Sequence, residues 1–222
     1  MHEEGFTRTH RKLGRVAALA VFALLIAYVT TLAFGFLSLK SPLEPIGDPY
    51  FTILELVIVV MAPLAVIVMV AVHAYASPQN RAYSLTALAF MILLAGITCS
   101  VHFLILTVSR PIEAAGFPST SFFLSYKWPS IAYAADVLAW DFFFALSMLF
   151  AAPVFGGGRL ERSVRISMII SGSLSLVGLL GVPFLEETPL LRNIGIIGYA
   201  GVSLVVFLLL GIVFGRSKGL PQ

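Results

Sequence analysis

Four ionisable side chains stand inside stretches that are otherwise apolar: Glu55, His102, Asp136 and Asp141. Two of them share the run from Ser130 to Phe150, which is long and apolar enough to cross a bilayer. A charge at mid-membrane costs about 2.5–3.5 kcal/mol on insertion scales, so such residues are rare and are read as functional by default. A carboxylic acid placed beside an imidazole can give and take a proton at one site, which is general acid–base chemistry. The expectation is that Asp136 or Glu55 acts as acid or base with His102 as its partner.

Depth decides whether these residues can meet. A helix rises about 1.5 Å per residue. Counted from Asp48, Glu55 is about 10 Å into its span, and counted from Arg110 and Trp128, His102 and Asp136 are each about 12 Å in. Neighbouring spans run antiparallel, so all three depths are measured from the same face and the three share a layer. Asp141 lies about 7–8 Å deeper than Asp136 and about 140° around a regular helix, so it is expected to border the site or to pair elsewhere. Tyr133, Asp136 and Trp140 fall at i, i+3 and i+7 on one stripe, and the two aromatics would supply an apolar or cation-stabilising wall. Thr98 and Cys99, one turn before His102, and Tyr199 in the last apolar run fall near the same layer as further lining.

The elements that must position these groups are membrane helices. Hydrophobic residues make up 59% of the 222-residue chain and charged residues 11%, against about 25% charged in soluble domains. The apolar runs reach the length of about twenty residues needed to cross ~30 Å of hydrocarbon. The sequence predicts an all-α, polytopic membrane protein, a bundle of six transmembrane helices in one domain covering 1–222. The spans are expected at about 14–38, 50–75, 79–109, 129–153, 164–184 and 190–214. The first is read as a retained span, because it exceeds the h-region of a signal peptide and lacks a small-x-small cleavage site. Asp48-Pro49, Ser77-Pro78 and Thr188-Pro189 each offer a capping side chain before a proline at the first helical position, and Trp128-Pro129 opens a span without one. In the second span Pro63 frees the carbonyl of Val59.

Basic residues set the expected orientation. Arg8, Arg11, Lys12, Arg15, Arg81, Arg159, Arg162, Arg165, Arg216 and Lys218 fall on one side of this topology. The other side holds Lys40, Arg110, Lys127 and Arg192 among the acids Glu44, Asp48, Glu113, Glu186 and Glu187. The positive-inside rule then puts both termini in the cytoplasm of a bacterial or archaeal plasma membrane. The net charge of +3 is a topology signal and gives no sign of a nucleic-acid partner; Arg11, Lys12 and Arg15 are placed to touch anionic lipid. The 110–128 segment, with Phe117, Phe122, Phe123, Tyr126 and Trp128, reads either as an interfacial aromatic belt or as a flap over the polar layer.

Several chemistries lack their residues. There is no E-x-x-H or H-E-x-x-H pair for a di-iron or zinc site, no mid-span lysine for a Schiff base, and His73 and His102 fall near opposite faces. No metal or other cofactor is therefore expected. Ser167, Ser171 and Ser175 form a stripe in the fifth span that suits helix–helix packing. The inner half thus offers little polar lining, which favours a one-sided pocket over alternating access. The expected function is an acid–base enzyme with a pocket in the outer half, acting on a lipid or isoprenoid-like substrate. A proton-coupled carrier or solute-binding subunit, and a structural or oligomerising subunit of a larger complex, are the alternatives.

Overall fold

The computed structural model describes residues 6–41, 44, 46–117, 120–182 and 189–217. Glu186, Glu187, Thr188 and Lys218 lie outside the described residues. Among those described the chain is all helix and loop. Five helices are long and apolar enough to cross a membrane: α1 (Arg8–Leu37), α2 (Tyr50–Tyr75), α3 (Pro78–Ile112), α4 (Ile131–Val154) and, last in the chain, α6 (Leu190–Arg216). Between the last two runs α5 (Arg159–Leu179), whose first two turns carry Arg159, Glu161, Arg162 and Arg165. It starts five residues earlier than the expected 164–184 and ends earlier too, because Gly158 caps a turn that is charged rather than apolar.

Each helix packs on the next in the chain, and α6 returns to α1 to close the ring. Ala17, Ala18 and Val21 of α1, Val68 and Met69 of α2, Met91 and Leu94 of α3, Phe144 and Met148 of α4 and Val206 and Leu210 of α6 meet in the centre, all nearly inaccessible. The serine stripe of α5 is part of this packing. Ser171 Oγ donates to the Gly198 carbonyl at 2.7 Å and Ser175 Oγ to that of Ser171 at 2.9 Å. On α4, Ser147 Oγ donates to the Ala87 carbonyl at 2.8 Å. All three are fully buried.

The helix starts differ from the sequence expectation in an instructive way. α1 begins at Arg8 rather than at 14, because Thr7 and His10 form a reciprocal capping box that draws the basic turn into the helix. Ser77 makes no side-chain cap, and the turn after it is a tight one at Pro78–Asn80. Pro129 is not the first helical residue of α4. That helix begins at Ile131, and Ser130 caps it, its Oγ accepting from Tyr133 N at 3.5 Å. Asp48 does serve α2, its carboxylate accepting from Thr52 N at 3.3 Å and from Thr52 Oγ1 at 2.7 Å.

Three helices contain wide turns of π type, at Ile105–Ser109, Leu138–Phe144 and Ile197–Val202. Such turns insert extra backbone and re-aim the side chains that follow; they recur at functional sites. The wide turn in α4 holds Trp140 and Asp141, and the one in α6 holds Tyr199.

Candidate functional site

Glu55 lies on α2, His102 on α3 and Asp136 on α4, and the structure brings the three into direct contact. His102 Nδ1 is 2.9 Å from Glu55 Oε2, and His102 Nε2 is 3.2 Å from Asp136 Oδ1. The imidazole therefore bridges two carboxylates through its opposite edges. A neutral ring can donate to only one of them, and a protonated ring donates to both. Glu55 and His102 are each 3% exposed, while the Asp136 side chain retains 18% exposure. Asp136 is thus the most accessible of the three.

A fourth residue completes the cluster. Tyr126 reaches in from the segment between α3 and α4, its hydroxyl donating to Glu55 Oε2 at 3.0 Å or lying against His102 Nδ1 at 2.7 Å. The two rings stand 5.4 Å apart between centroids. Ser125 and Ser130 hold this segment: Ser130 Oγ donates to the Ser125 carbonyl at 2.8 Å and accepts from Ser125 N at 3.4 Å. Tyr126 was expected only as one aromatic of the segment, and nothing in an aperiodic loop sequence marks it as a ligand of Glu55. The segment is both belt and cover. Phe117, Phe122 and Phe123 are exposed outward, while Tyr126 seals the polar layer.

The expected wall of Tyr133, Asp136 and Trp140 does not form around one pocket. Asp136 faces His102, whereas Tyr133 turns to Trp128 and to Arg192, whose guanidinium carbon lies 5.6 Å from the Tyr133 ring centre. Trp140 points into the bundle core against Phe144 and Tyr199, at 5.7 and 5.5 Å between ring centres. Trp140 and Tyr199 border a void of about 10 Å³, room for at most one water. The second described void, about 370 Å³ and shallow, opens between Phe122, Phe123, Trp128, Ile131 and Ala134. Ile131 and Ala134 lie on the side of α4 away from Asp136, because they fall a helical turn apart and out of its register. Neither void touches Glu55, His102 or Asp136. At the polar layer itself, Tyr126 lies against both Glu55 and His102.

Asp141 belongs to a separate cluster. Its carboxylate is fully buried and accepts from Arg192 Nη1 at 2.7 Å. Arg192 is 4% exposed, and its Nε donates to the Tyr133 hydroxyl at 3.3 Å. Sequence reasoning had counted Arg192 as an outer loop charge. Two glycines bring it inside: a Cβ on Gly178 of α5 would lie 2.5 Å from Gly195 Cα of α6 and 2.1 Å from Asp141 Oδ1. The bare Cα edges of α5 and α6 thus admit the carboxylate between them, and Arg192, one turn from Gly195, follows it in.

Cys99 and Thr98 have structural surroundings. Cys99 Sγ lies 3.6 Å from the Val59 carbonyl, the one that Pro63 leaves without its helical donor, so the thiol fills that gap. Thr98 is buried one turn from His102, with no hydrogen-bond partner for its hydroxyl among the described residues. Where α2 begins, Arg110 pairs with Asp48 through both guanidinium nitrogens. Arg110 and Thr52 together hold the Asp48 carboxyl down to about 2.

Neither a family model nor a curated protein nor a solved structure matches this chain. Function has to be argued from the geometry.

Proposed function

We propose that this chain is a six-span integral membrane protein with both termini cytoplasmic, and that its outer-half cluster performs acid–base chemistry on a lipid or isoprenoid-like substrate. The observation that carries the reading is the bridging of two buried carboxylates by one imidazole across three helices. Asp136, the accessible member, exchanges the proton with the substrate. His102 passes it on, and Glu55 fixes the ring and balances its charge. Tyr126 closes the site, so a substrate enters from the outer leaflet by displacing the short helix Thr120–Phe123 and the bends after it. α5 supplies the sixth span, and the basic ends of α1, α5 and α6 give the orientation. The carrier reading loses ground, because the buried serines of α4 and α5 donate to backbone carbonyls and offer no lining for a solute.

A second reading has one observation in its favour, the near-complete burial of Glu55 and His102. In that reading Glu55, His102 and Asp136 tie α2, α3 and α4 together in a structural subunit. One experiment separates the two. Purified wild-type protein and the Asp136→Asn variant are incubated with total membrane lipid in D₂O and in H₂¹⁸O, and lipid masses are read by mass spectrometry. The enzyme reading expects at least one lipid to gain deuterium or ¹⁸O with wild type and not with Asp136→Asn. Identical lipid spectra for both, with only thermal stability lowered, would leave the structural reading standing.

A further inference from the structure

The end of the bundle opposite Tyr126 is one-sidedly basic. On α1, Arg8, Lys12 and Arg15 are exposed and Arg11 is half-buried. The C-terminal turn of α6 comes to meet them: Arg11 Nη1 donates to the Ser217 carbonyl at 3.3 Å, and Arg15 Nε lies 3.3 Å from where a Cβ on Gly215 would sit. Arg216, exposed, stands next to that contact. At the same end Arg81 opens the main run of α3, and Arg159, Arg162 and Arg165 stand exposed at three-residue intervals on the first turns of α5.

Against these nine cations the described residues of this end offer one carboxylate, and it is engaged internally. Glu161 accepts from the Tyr75 hydroxyl at 2.6 Å and from Gly157 N at 2.7 Å. None of the nine is in a described ion pair. Tyr75 also closes the floor beneath them, edge-on to Phe6 at 5.2 Å and stacked on Phe155 at 5.8 Å between ring centres. The result is an aromatic-floored rim of cations, all of them guanidinium groups but for Lys12. Guanidinium is the side chain best matched to phosphate oxygens, which it binds with paired N–H groups.

We infer that this rim is a docking surface for anionic phospholipid headgroups, centred on the junction of α1 and α6, where Arg15 lies against Gly215 next to Arg216 and the exposed Lys12 stands one helical turn before Arg15. The inference is independent of the chemistry proposed for His102. Each cation near an anionic surface contributes about 1 kcal/mol, which is roughly a fivefold change in affinity.

The test is native mass spectrometry of the detergent-solubilised full chain titrated with phosphatidylglycerol or with phosphatidylcholine. Tighter retention of phosphatidylglycerol is expected, lowered at least about tenfold in Lys12→Gln/Arg15→Gln/Arg216→Gln. The control Lys40→Gln/Lys127→Gln removes cations from the opposite end and should leave the preference unchanged. Equal retention of the two lipids, an unaltered preference in the triple variant, or an equal loss in the control would overturn the inference. So would displacement of phosphatidylglycerol by millimolar inorganic phosphate, since a free anion would then be the true ligand. Circular dichroism melting of the triple variant guards against misfolding. If its melt is altered, Lys12→Gln and Arg216→Gln are scored singly, each with about a fivefold loss expected and no loss counting against the surface.

Discussion

The Arg192–Asp141 pair allows a prediction with both sign and size. Arg192→Met leaves a carboxylate that is fully buried and stripped of the cation 2.7 Å away. Breaking a buried pair from one side costs about 3–5 kcal/mol, because an uncompensated charge is left in low dielectric. The hydrogen bonds from Arg192 to the Tyr133 hydroxyl and to the Gly178 carbonyl at 3.4 Å are lost as well, which places the expected cost at the upper end. Removing both charges in Asp141→Asn/Arg192→Met leaves one buried amide short of partners, a penalty of about 1–3 kcal/mol. The double variant should therefore be more stable than Arg192→Met by about 2 kcal/mol. The assay is equilibrium unfolding in mixed lipid–detergent micelles, followed by the intrinsic fluorescence of Trp128 and Trp140, the second of which packs against Tyr199 inside the bundle. A double variant no more stable than Arg192→Met, or a coupling under about 0.5 kcal/mol, which is what independent sites show, would refute the ion-pair account of this cluster.

The same unfolding assay reads the glycine contact. Gly178→Ala and Gly195→Ala each put a methyl within 2.1 or 2.3 Å of Asp141 Oδ1 and should cost about 1–3 kcal/mol or more, whereas Gly96→Ala meets nothing within 4 Å and should gain about 0.5–1 kcal/mol. Cys99→Ala should cost about 1 kcal/mol through the orphaned Val59 carbonyl, Cys99→Ser should keep most of that, and a Pro63→Ala background should erase the difference by restoring the helical donor. Asp48 has a carboxyl lowered from 3.8 to about 2 by Arg110 and Thr52. Its contribution to stability is thus present above pH 4 or so and lost as pH falls through about 2. Carboxyl ¹³C titration should find the midpoint near 2 and see it rise toward 3.8 in Arg110→Gln.

How much of this was legible in the sequence depends on whether a regular helix intervenes between the residue and the inference. Counting about 1.5 Å per residue from polar span ends puts Glu55, His102 and Asp136 in one layer, and the contacts of 2.9 and 3.2 Å bear it out, although the count to His102 crosses the wide turn at Ile105–Ser109 and the count to Asp136 starts before the helix does at Ile131. Asp141 does pair elsewhere, with Arg192, although it lies inside the wide turn where the angle of a regular helix no longer applies. Tyr133 and Trp140 escaped it: the stripe assumed 3.6 residues per turn, but α4 widens from Leu138 onward and sends Trp140 to the core. Tyr126 was illegible because a loop has no period, so nothing local says which of its aromatics turns inward. Arg192 was hidden for another reason. Its burial depends on how closely α5 and α6 approach at Gly178 and Gly195, a tertiary fact that composition does not carry.

The two polar clusters of α4 also differ in what their charges require. Asp141 and Arg192 offset each other across one buried contact of 2.7 Å, which suits holding α4 against α6. Glu55, His102 and Asp136 cannot balance without added protons. With the ring neutral and both carboxylates ionised the cluster is −2, with one proton −1, and only with two is it neutral. The ring and the two carboxylates are joined by contacts of 2.9 and 3.2 Å. A group that only braced three helices would serve equally well as one acid and one base, as the neighbouring pair does. On the acid–base reading proposed above, the second carboxylate, placed on the one side chain of the three with appreciable exposure, is the group that meets the substrate.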